Sequence, residues 1–238
     1  MAFTGYLVNT TIKNITRIIC RVDDSQLERI PHNGPLILAV NHINFLDAPL
    51  VYTHLQPRPI TGFAKAETWD NPILGSLFSL WEAIPLERGE ADVGAIRQCL
   101  AELERGKIIG IAPEGTRSGN GRLQRGRPGV VMIALRSMAP ILPLACYGGE
   151  MFKQNISHLK RTDFHISVGC PFRIRAEGKM TQDLRMRITN EIMYQIAALL
   201  PPAYRGYYSD LSEATEKYLE FEPPARSNLD RLETKPVR

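Results

Sequence analysis

The sequence predicts an α/β protein: a largely parallel sheet flanked by helices, with an amphipathic helix in front of it. Two observations carry that prediction. Short apolar runs recur without the polar–apolar alternation of a half-solvated sheet, as strands covered on both faces do. Between them lie segments of helical period, the pattern of strands joined by helical crossovers. In order, PLILAV (35–40) reads as a buried strand and DAPLVYTHL (47–55) as a helix, with Asp47 placed to cap it. RPITGFA (58–64) is a second strand, followed by a helix through PILGSLFSLWEA (72–83). IPLER (84–88) is a strand, and ADVGAIRQCLAELERG (91–106) is a helix closed by glycine. KIIGIA (107–112), APILPLACYG (139–148) and FHISVGC (164–170) are further strands, and 181–200 is a helix ended by Pro201-Pro202.

At 238 residues, with 44% hydrophobic and 23% charged, the composition is that of a folded chain able to bury a core. The net charge is only +4. Its distribution says more. Arg105, Lys107, Arg117, Arg122, Arg125, Arg127 and Arg136 face a single acid, Glu114, within 105–136. Such a cluster points to an anionic ligand. Cys20, Cys99, Cys146 and Cys170 are far apart and read as reduced packing residues of a cytoplasmic protein. The five histidines are scattered, so no metal site is expected. No apolar run approaches the roughly 18 residues of a membrane span, and no signal peptide is expected.

Residues 1–25 carry Val8, Ile12, Ile15, Ile19 and Val22 at helical spacing, beside a basic stripe of Lys13, Arg17 and Arg21. Such a helix either packs on its own domain or lies in an anionic lipid surface. The predicted organisation is therefore a membrane-associating helix over 1–25, the α/β domain over 26–205, and an extension over 206–238 read as a loose tail. The apolar residues Ile73, Leu74, Leu77, Phe78, Leu80 and Trp81 surround one helix; core packing is the expected reading, an acyl groove the alternative.

In parallel sheets the working groups gather at the carboxyl ends of strands. Three suggestive segments fall there: NHINFLD after the first strand, Arg88 at the end of IPLER, and PEGTRSGNGRLQRGRPG after KIIGIA. Asp47 is five positions after His42, which puts the two about 140° apart on one regular helix. They can meet only if His42 lies in a turn that leads into a helix starting near Asp47. The carboxylate then fixes the imidazole tautomer, and the other ring nitrogen can take a proton. A loop histidine before an ordinary helix cap stands as the other reading of that pair alone. No G-x-S-x-G elbow exists, so a base at His42 would act on a substrate hydroxyl. In PEGTRS, Gly115 lets the backbone turn and Arg117 offers a fork suited to phosphate.

NHINFLD, IPLER, PEGTRS and PILPL, in this order and at these separations, resemble the four motifs of the 1-acylglycerol-3-phosphate acyltransferase family. The resemblance covers about residues 30 to 200 and makes 26–205 an acyltransferase domain. It implies that His42 is the general base, oriented by Asp47. Arg88, Glu114, Gly115, Thr116 and Arg117 would bind the acceptor's phosphate. Arg127 stands where the family usually has a lysine, and Pro143 matches the fourth motif. Pro85-Leu86 departs from the family's commoner pair, and one N-terminal helix stands where well-studied members have two. The implied activity moves a fatty acyl group from acyl-CoA or acyl-carrier protein, as cosubstrate, to lysophosphatidic acid. No metal or bound cofactor is implied. The expected partners are the lysophospholipid, the acyl donor and a membrane surface, with the enzyme peripheral on its cytoplasmic face. Another lyso-lipid acceptor, such as a lyso-ornithine lipid, and a non-catalytic lipid or anion binder are the alternatives. Nucleic acid is disfavoured because no aromatics interleave the arginines.

Overall fold

The computed structural model describes residues 3–87 and 92–230. Helix α1 (Phe3–Ile19) leads into strand β1 (Cys20–Asp23). Then follow β2 (Leu36–Val40), α2 (Asp47–His54), β3 (Ile60–Lys65), α3 (Pro72–Leu80), β4 (Ile84–Leu86), α4 (Val93–Glu104) and β5 (Ile108–Ile111). The second half holds α5 (Gly129–Ser137), β6 (Ile141–Tyr147), α6 (Phe152–Ser157), β7 (Thr162–Val168), a small β8 (Arg173–Ile174), α7 (Gln182–Ala197) and β9 (Leu219–Glu220). Among the described residues seven strands form one sheet in the order β1-β7-β6-β2-β5-β3-β4. The four pairings from β6 to β4 are parallel, whereas β7 runs antiparallel to β6, with β1 parallel to β7.

Successive side chains of a strand point to opposite faces, and both faces are covered here. Ile37, Ala39, Ile109, Ile141 and Ala145 pack in one core with residues of α4, α5 and α7. Leu36, Leu38, Ile108, Leu142 and Leu144 pack in the other with Leu50 and Val51 of α2 and with Phe152. This is why the central strands read as unbroken apolar runs. Pro143 sits buried within β6, opposite Ala39 of β2. It lacks a donor, and its missing N–H falls where β7 has ended: the pairing stops at Val168, and Gly169 N–H donates to the Pro143 carbonyl. Pro143 is therefore a sheet residue on the strand leading to the edge. It does not stand at that edge beside His42.

Several expectations need correction. The N-terminal helix ends at Ile19, and Val22 belongs to edge strand β1, paired with β7. The apolar stripe of helix α1 is only half-covered, with Val8, Ile12 and Ile19 partly buried and Ile15 exposed. Gly5, Asn9 and Thr16 face inward, while Leu7, Ile15 and Ile18 (70% exposed) face outward. Asn9 Oδ1 accepts the Trp81 indole N–H at 2.8 Å, and Arg161 donates to the Arg17 and Cys20 carbonyls. The helix thus straps across to both sides of the sheet through polar contacts. Its basic stripe is largely neutralised: Arg17 pairs with Asp24 at 3.0 Å, and Arg21 pairs with Asp163.

Helix α3 does not pack into the core. Its one buried residue is Gly75, and Ile73 is 79% exposed. Helix α5, from a continuous apolar stretch with no readable period, is absent from the sequence expectation. Finally, 206–230 is not a loose tail. Tyr208 is almost fully enclosed, and its hydroxyl donates to Asn190 and accepts from Gly126 N–H, both at 3.0 Å. Buried Glu191 of α7 accepts the Thr215 hydroxyl and the Lys217 and Tyr218 N–H groups. A polar composition conceals these few buried anchors, so the segment read as unstructured.

Candidate active site

Strand β2 delivers the chain to the carboxyl edge at Val40. Asn41 continues the ladder with its side chain: its amide donates to the Cys146 carbonyl at 2.8 Å and accepts the Cys146 N–H at 2.7 Å. That double contact fixes the turn that follows. His42 Nδ1 lies 2.7 Å from Asp47 Oδ2, which also accepts the Ile43 and Asn44 N–H groups at 2.7 and 2.9 Å. Asp47 is therefore not the cap of α2. It is the helix's first residue, and its carboxylate reaches backward to hold the turn and the imidazole together. Asn44 supports the same turn, donating to Gly149 O at 2.7 Å and accepting Leu46 N–H at 2.9 Å. Neither asparagine was predicted; their positions beside the histidine at a strand end were the available signal.

A carboxylate oxygen carrying two backbone donors can only accept, so the proton between the pair resides on His42 Nδ1 and Nε2 bears the lone pair. His42 is partly open to solvent, whereas Asp47 is buried. Arg117 Nε–H points at His42 Nε2 at 3.3 Å. The same tautomer satisfies both contacts. Beside them, burial pushes the Cys146 thiol well above its ordinary range, with the Asp47 charge adding to the effect.

The loop after β5 is stitched to this turn by its backbone. Ser118 N–H donates to His42 O at 2.8 Å and Gly119 N–H to Ile43 O at 2.9 Å. Gly115 has φ +70°, the left-handed region, and a Cβ there would sit 2.9 Å from Arg127 Cδ. Glycine is thus required twice, for the turn and for the arginine laid across it. Thr116 follows, half-buried, and Arg117, Arg122, Arg125 and Arg127 are exposed along the loop.

Glu114 behaves differently from the expectation. It is 2% exposed, and its two oxygens accept His42 N–H and Gln124 N–H, each at 2.8 Å. Burial raises its carboxyl above the ordinary range, partly countered by those two donors. An acid spent on two backbone groups ties the histidine turn to the basic loop; it does not present itself to a phosphate. The basic loop is braced from behind as well. Leu123 and Tyr207 exchange backbone contacts with Tyr204 and Leu123 at 2.9 Å, and Gly206 passes so close to Leu123 that a Cβ would lie 2.2 Å from its carbonyl oxygen.

The structure thus brings together His42, Asp47, Glu114, Gly115, Thr116, Arg117 and Arg127 on one edge. Pro143 stays inside the sheet. Arg88 lies outside the described residues.

A buried carboxylate thus orients an imidazole beside a basic glycine loop on a parallel-sheet edge, an arrangement chemically able to take up a proton next to an anion. Residues 21–147, more than half of the chain, match the Acyltransferase family, and the chain belongs to that family. It is similar to the 1-acyl-sn-glycerol-3-phosphate acyltransferase of Bacillus subtilis, 30% identical over 132 residues, which is 53% of this chain and 65% of that protein. A chloroplastic 1-acyl-sn-glycerol-3-phosphate acyltransferase of Brassica napus is also 30% identical over 132 residues, 54% of this chain and 38% of the relative. The lyso-ornithine lipid O-acyltransferase of Pseudomonas aeruginosa is 31% identical over 112 residues, 47% of this chain and 42% of the relative. The match spans less than two thirds of the length of each of these relatives. Among solved structures, the 1-acyl-sn-glycerophosphate acyltransferase PlsC of Thermotoga maritima superposes with a TM-score of 0.57 at 21% identity, covering 79% of this chain and 77% of that one. At that identity the likeness establishes the fold.

Proposed function

We propose that this chain transfers a fatty acyl group from acyl-CoA or acyl-carrier protein to the free hydroxyl of lysophosphatidic acid, giving phosphatidic acid for phospholipid synthesis. The observation that carries the reading is the 2.7 Å His42–Asp47 contact facing Arg117 in a chain of the Acyltransferase family. His42 Nε2 takes the proton of the acceptor hydroxyl as its oxygen attacks the thioester carbonyl. The tetrahedral intermediate then expels the thiolate, which takes the proton back from the imidazolium. Asp47 keeps the ring in the required tautomer and stabilises its charged form. Arg117, Arg127 and Arg88 hold the acceptor's phosphate, with Gly115 and Thr116 shaping the turn between them. Glu114 positions both halves. No metal or bound cofactor takes part; the thioester is a cosubstrate.

The acceptor's fatty chain lies in a bilayer, so the enzyme works at a lipid surface, on the cytoplasmic face and as a peripheral protein. No described helix is long and apolar enough to cross a membrane. The outward apolar residues of α1 support surface docking, together with exposed Ile73 and Leu74 of α3. The activity for which the Pseudomonas relative is named favours one second reading, a lyso-ornithine acceptor.

The test incubates purified protein with a panel of lyso-lipids and both donor types and identifies products by mass. Phosphatidic acid is expected; acylation of lyso-ornithine lipid alone selects the second reading. A vesicle co-sedimentation assay checks the docking. Leu7→Ser, Ile15→Ser and Ile18→Ser combined should release the protein from phosphatidylglycerol-containing vesicles. Salt should have a smaller effect, because Arg17 and Arg21 are already paired. Full sedimentation of the folded triple variant would remove α1 as the anchor.

A further inference from the structure

The atom that the proposed chemistry needs is occupied: Arg117 Nε–H donates to His42 Nε2 at 3.3 Å. That contact is long for an N–H donor, and the guanidinium carrying it is exposed. Among the described residues no carboxylate pairs with Arg117, in contrast to Arg17, Arg21, Arg105 and Arg173. Its backbone, however, is held on both sides. Gln124 Nε2 donates to the Arg117 carbonyl at 3.2 Å, and the next residue, Ser118, donates to His42 O at 2.8 Å. The side chain can leave while the backbone stays.

We propose that Arg117 is a displaceable cap on the His42 base. With no acceptor bound, its guanidinium covers Nε2. An acceptor phosphate, which an arginine binds through short charge-assisted and often bidentate contacts, draws the guanidinium away. The base is then uncovered only when a hydroxyl is present to be deprotonated. The cap protects the donor. An uncovered His42 could take a proton from water as the water oxygen attacks the thioester carbonyl. The C–S bond would break, the thiolate would take the proton from the imidazolium, and a free fatty acid and a thiol would be released. This inference rests on the acyl-transfer reading and extends it to the order of events at the site.

The experiment measures thiol release from palmitoyl-CoA (or palmitoyl-carrier protein, whichever donor the enzyme uses) without any lyso-lipid. Wild type, Arg117→Ala, Arg117→Lys and the double variant His42→Ala/Arg117→Ala are compared, each confirmed folded by its thermal transition. Arg117→Ala should hydrolyse the donor several-fold faster than wild type, and the double variant should lose that gain. Inorganic phosphate, which competes for the guanidinium but offers no acceptor alcohol, should raise hydrolysis by wild type and leave Arg117→Ala unchanged. A lysine, unable to reproduce the same Nε–H contact, should behave more like alanine. Hydrolysis by folded Arg117→Ala at or below the wild-type rate overturns the cap, as does a wild type indifferent to phosphate. Transfer to lysophosphatidic acid by wild type, run alongside, separates the two failures: absence of product rejects the acyl-transfer reading, whereas product without the hydrolysis pattern rejects the cap alone.

Discussion

Helix α2 has a histidine near each end, and each faces an aspartate, yet the two pairs are built for opposite ends. Ahead of the helix, His42 gives its Nδ1–H to Asp47 at 2.7 Å and turns Nε2 toward the open edge. At the last residue of the helix, His54 is fully enclosed and gives Nδ1–H to the Leu50 carbonyl at 2.9 Å. Its Nε2 has no hydrogen-bond partner and lies 3.9 Å from Asp24, whose carboxylate is already engaged by Arg17. The difference teaches that proximity of histidine and aspartate does not make a base. The carboxylate must bind one ring nitrogen while the other reaches a substrate. At His54 a backbone carbonyl has taken the first place and protein has filled the second.

The largest expected effect breaks the pair at the open end. His42→Ala should lower acyl transfer by on the order of 10²–10⁴, the usual worth of a positioned base. Asp47→Asn should come close to it by disturbing the tautomer. His54→Asn, which keeps a donor for the Leu50 carbonyl, should retain transfer. Equal losses at both ends, measured as kcat/KM on folded proteins, would erase the distinction.

A smaller effect is expected beneath His42. Glu114→Ala leaves the His42 and Gln124 N–H groups without their acceptor, at a cost of about 1–3 kcal/mol for each such group. Relief of burying a carboxylate offsets part of that. The readouts are a lowered denaturation midpoint and a loss of transfer larger than the loss of folded protein. Unchanged activity in Glu114→Ala would mean that the two loops hold their places without it.

The smallest effect sharpens the buried end. Burial holds the His54 imidazole below its ordinary value of 6.5, and nearby Lys13 and Arg17 push the same way, against Asp24 and the Leu50 carbonyl. The folded state therefore binds this proton less readily than the unfolded state. The stability associated with neutral His54 is full above pH 6.5 and declines as pH falls through that value toward the lower folded one. His54→Asn should flatten that part of the stability–pH curve, read by thermal melts between pH 7.5 and 5. An identical slope in the variant would assign the dependence to other groups.

Much of the architecture was legible because the central strands are covered on both faces, leaving LILAV and IIGI unbroken in the sequence. The His42–Asp47 turn was legible for the same local reason: a strand ends at Val40, a helix begins at Asp47, and the histidine lies in the short turn between them. What was hidden depends on the third dimension. Glu114 is placed in the phosphate loop by the resemblance of PEGTRS to a family motif, and its two backbone partners give it the geometry of a tie. Helix α3 has the composition of a core helix and lies outside the core. Helix α1 buries Asn9 and Thr16 next to half-buried Val8, Ile12 and Ile19 and leaves Ile18 exposed, a polar inner strip that apolar periodicity does not reveal. The reversal of β7 leaves a trace, since Asp163, His165 and Ser167 alternate with buried Phe164, Ile166 and Val168, but that alternation marks a less covered strand and does not by itself give its direction.

The clasp at Glu191 has a practical consequence for anyone shortening this chain. A fragment ended near residue 205, where the sequence reading closes the α/β domain, would strip the outer side of α7. It would leave the Glu191 carboxylate without Thr215, Lys217 and Tyr218, and Gln195 without Ser227 and Asn228. It would also uncover the cavity filled by the Tyr208 ring and deprive Gly126 in the basic loop of its hydroxyl partner. The working boundary for a recombinant fragment therefore lies beyond Asn228, and a protease nick between residues 205 and 215 should be felt some distance away, in the loop that carries Arg125 and Arg127.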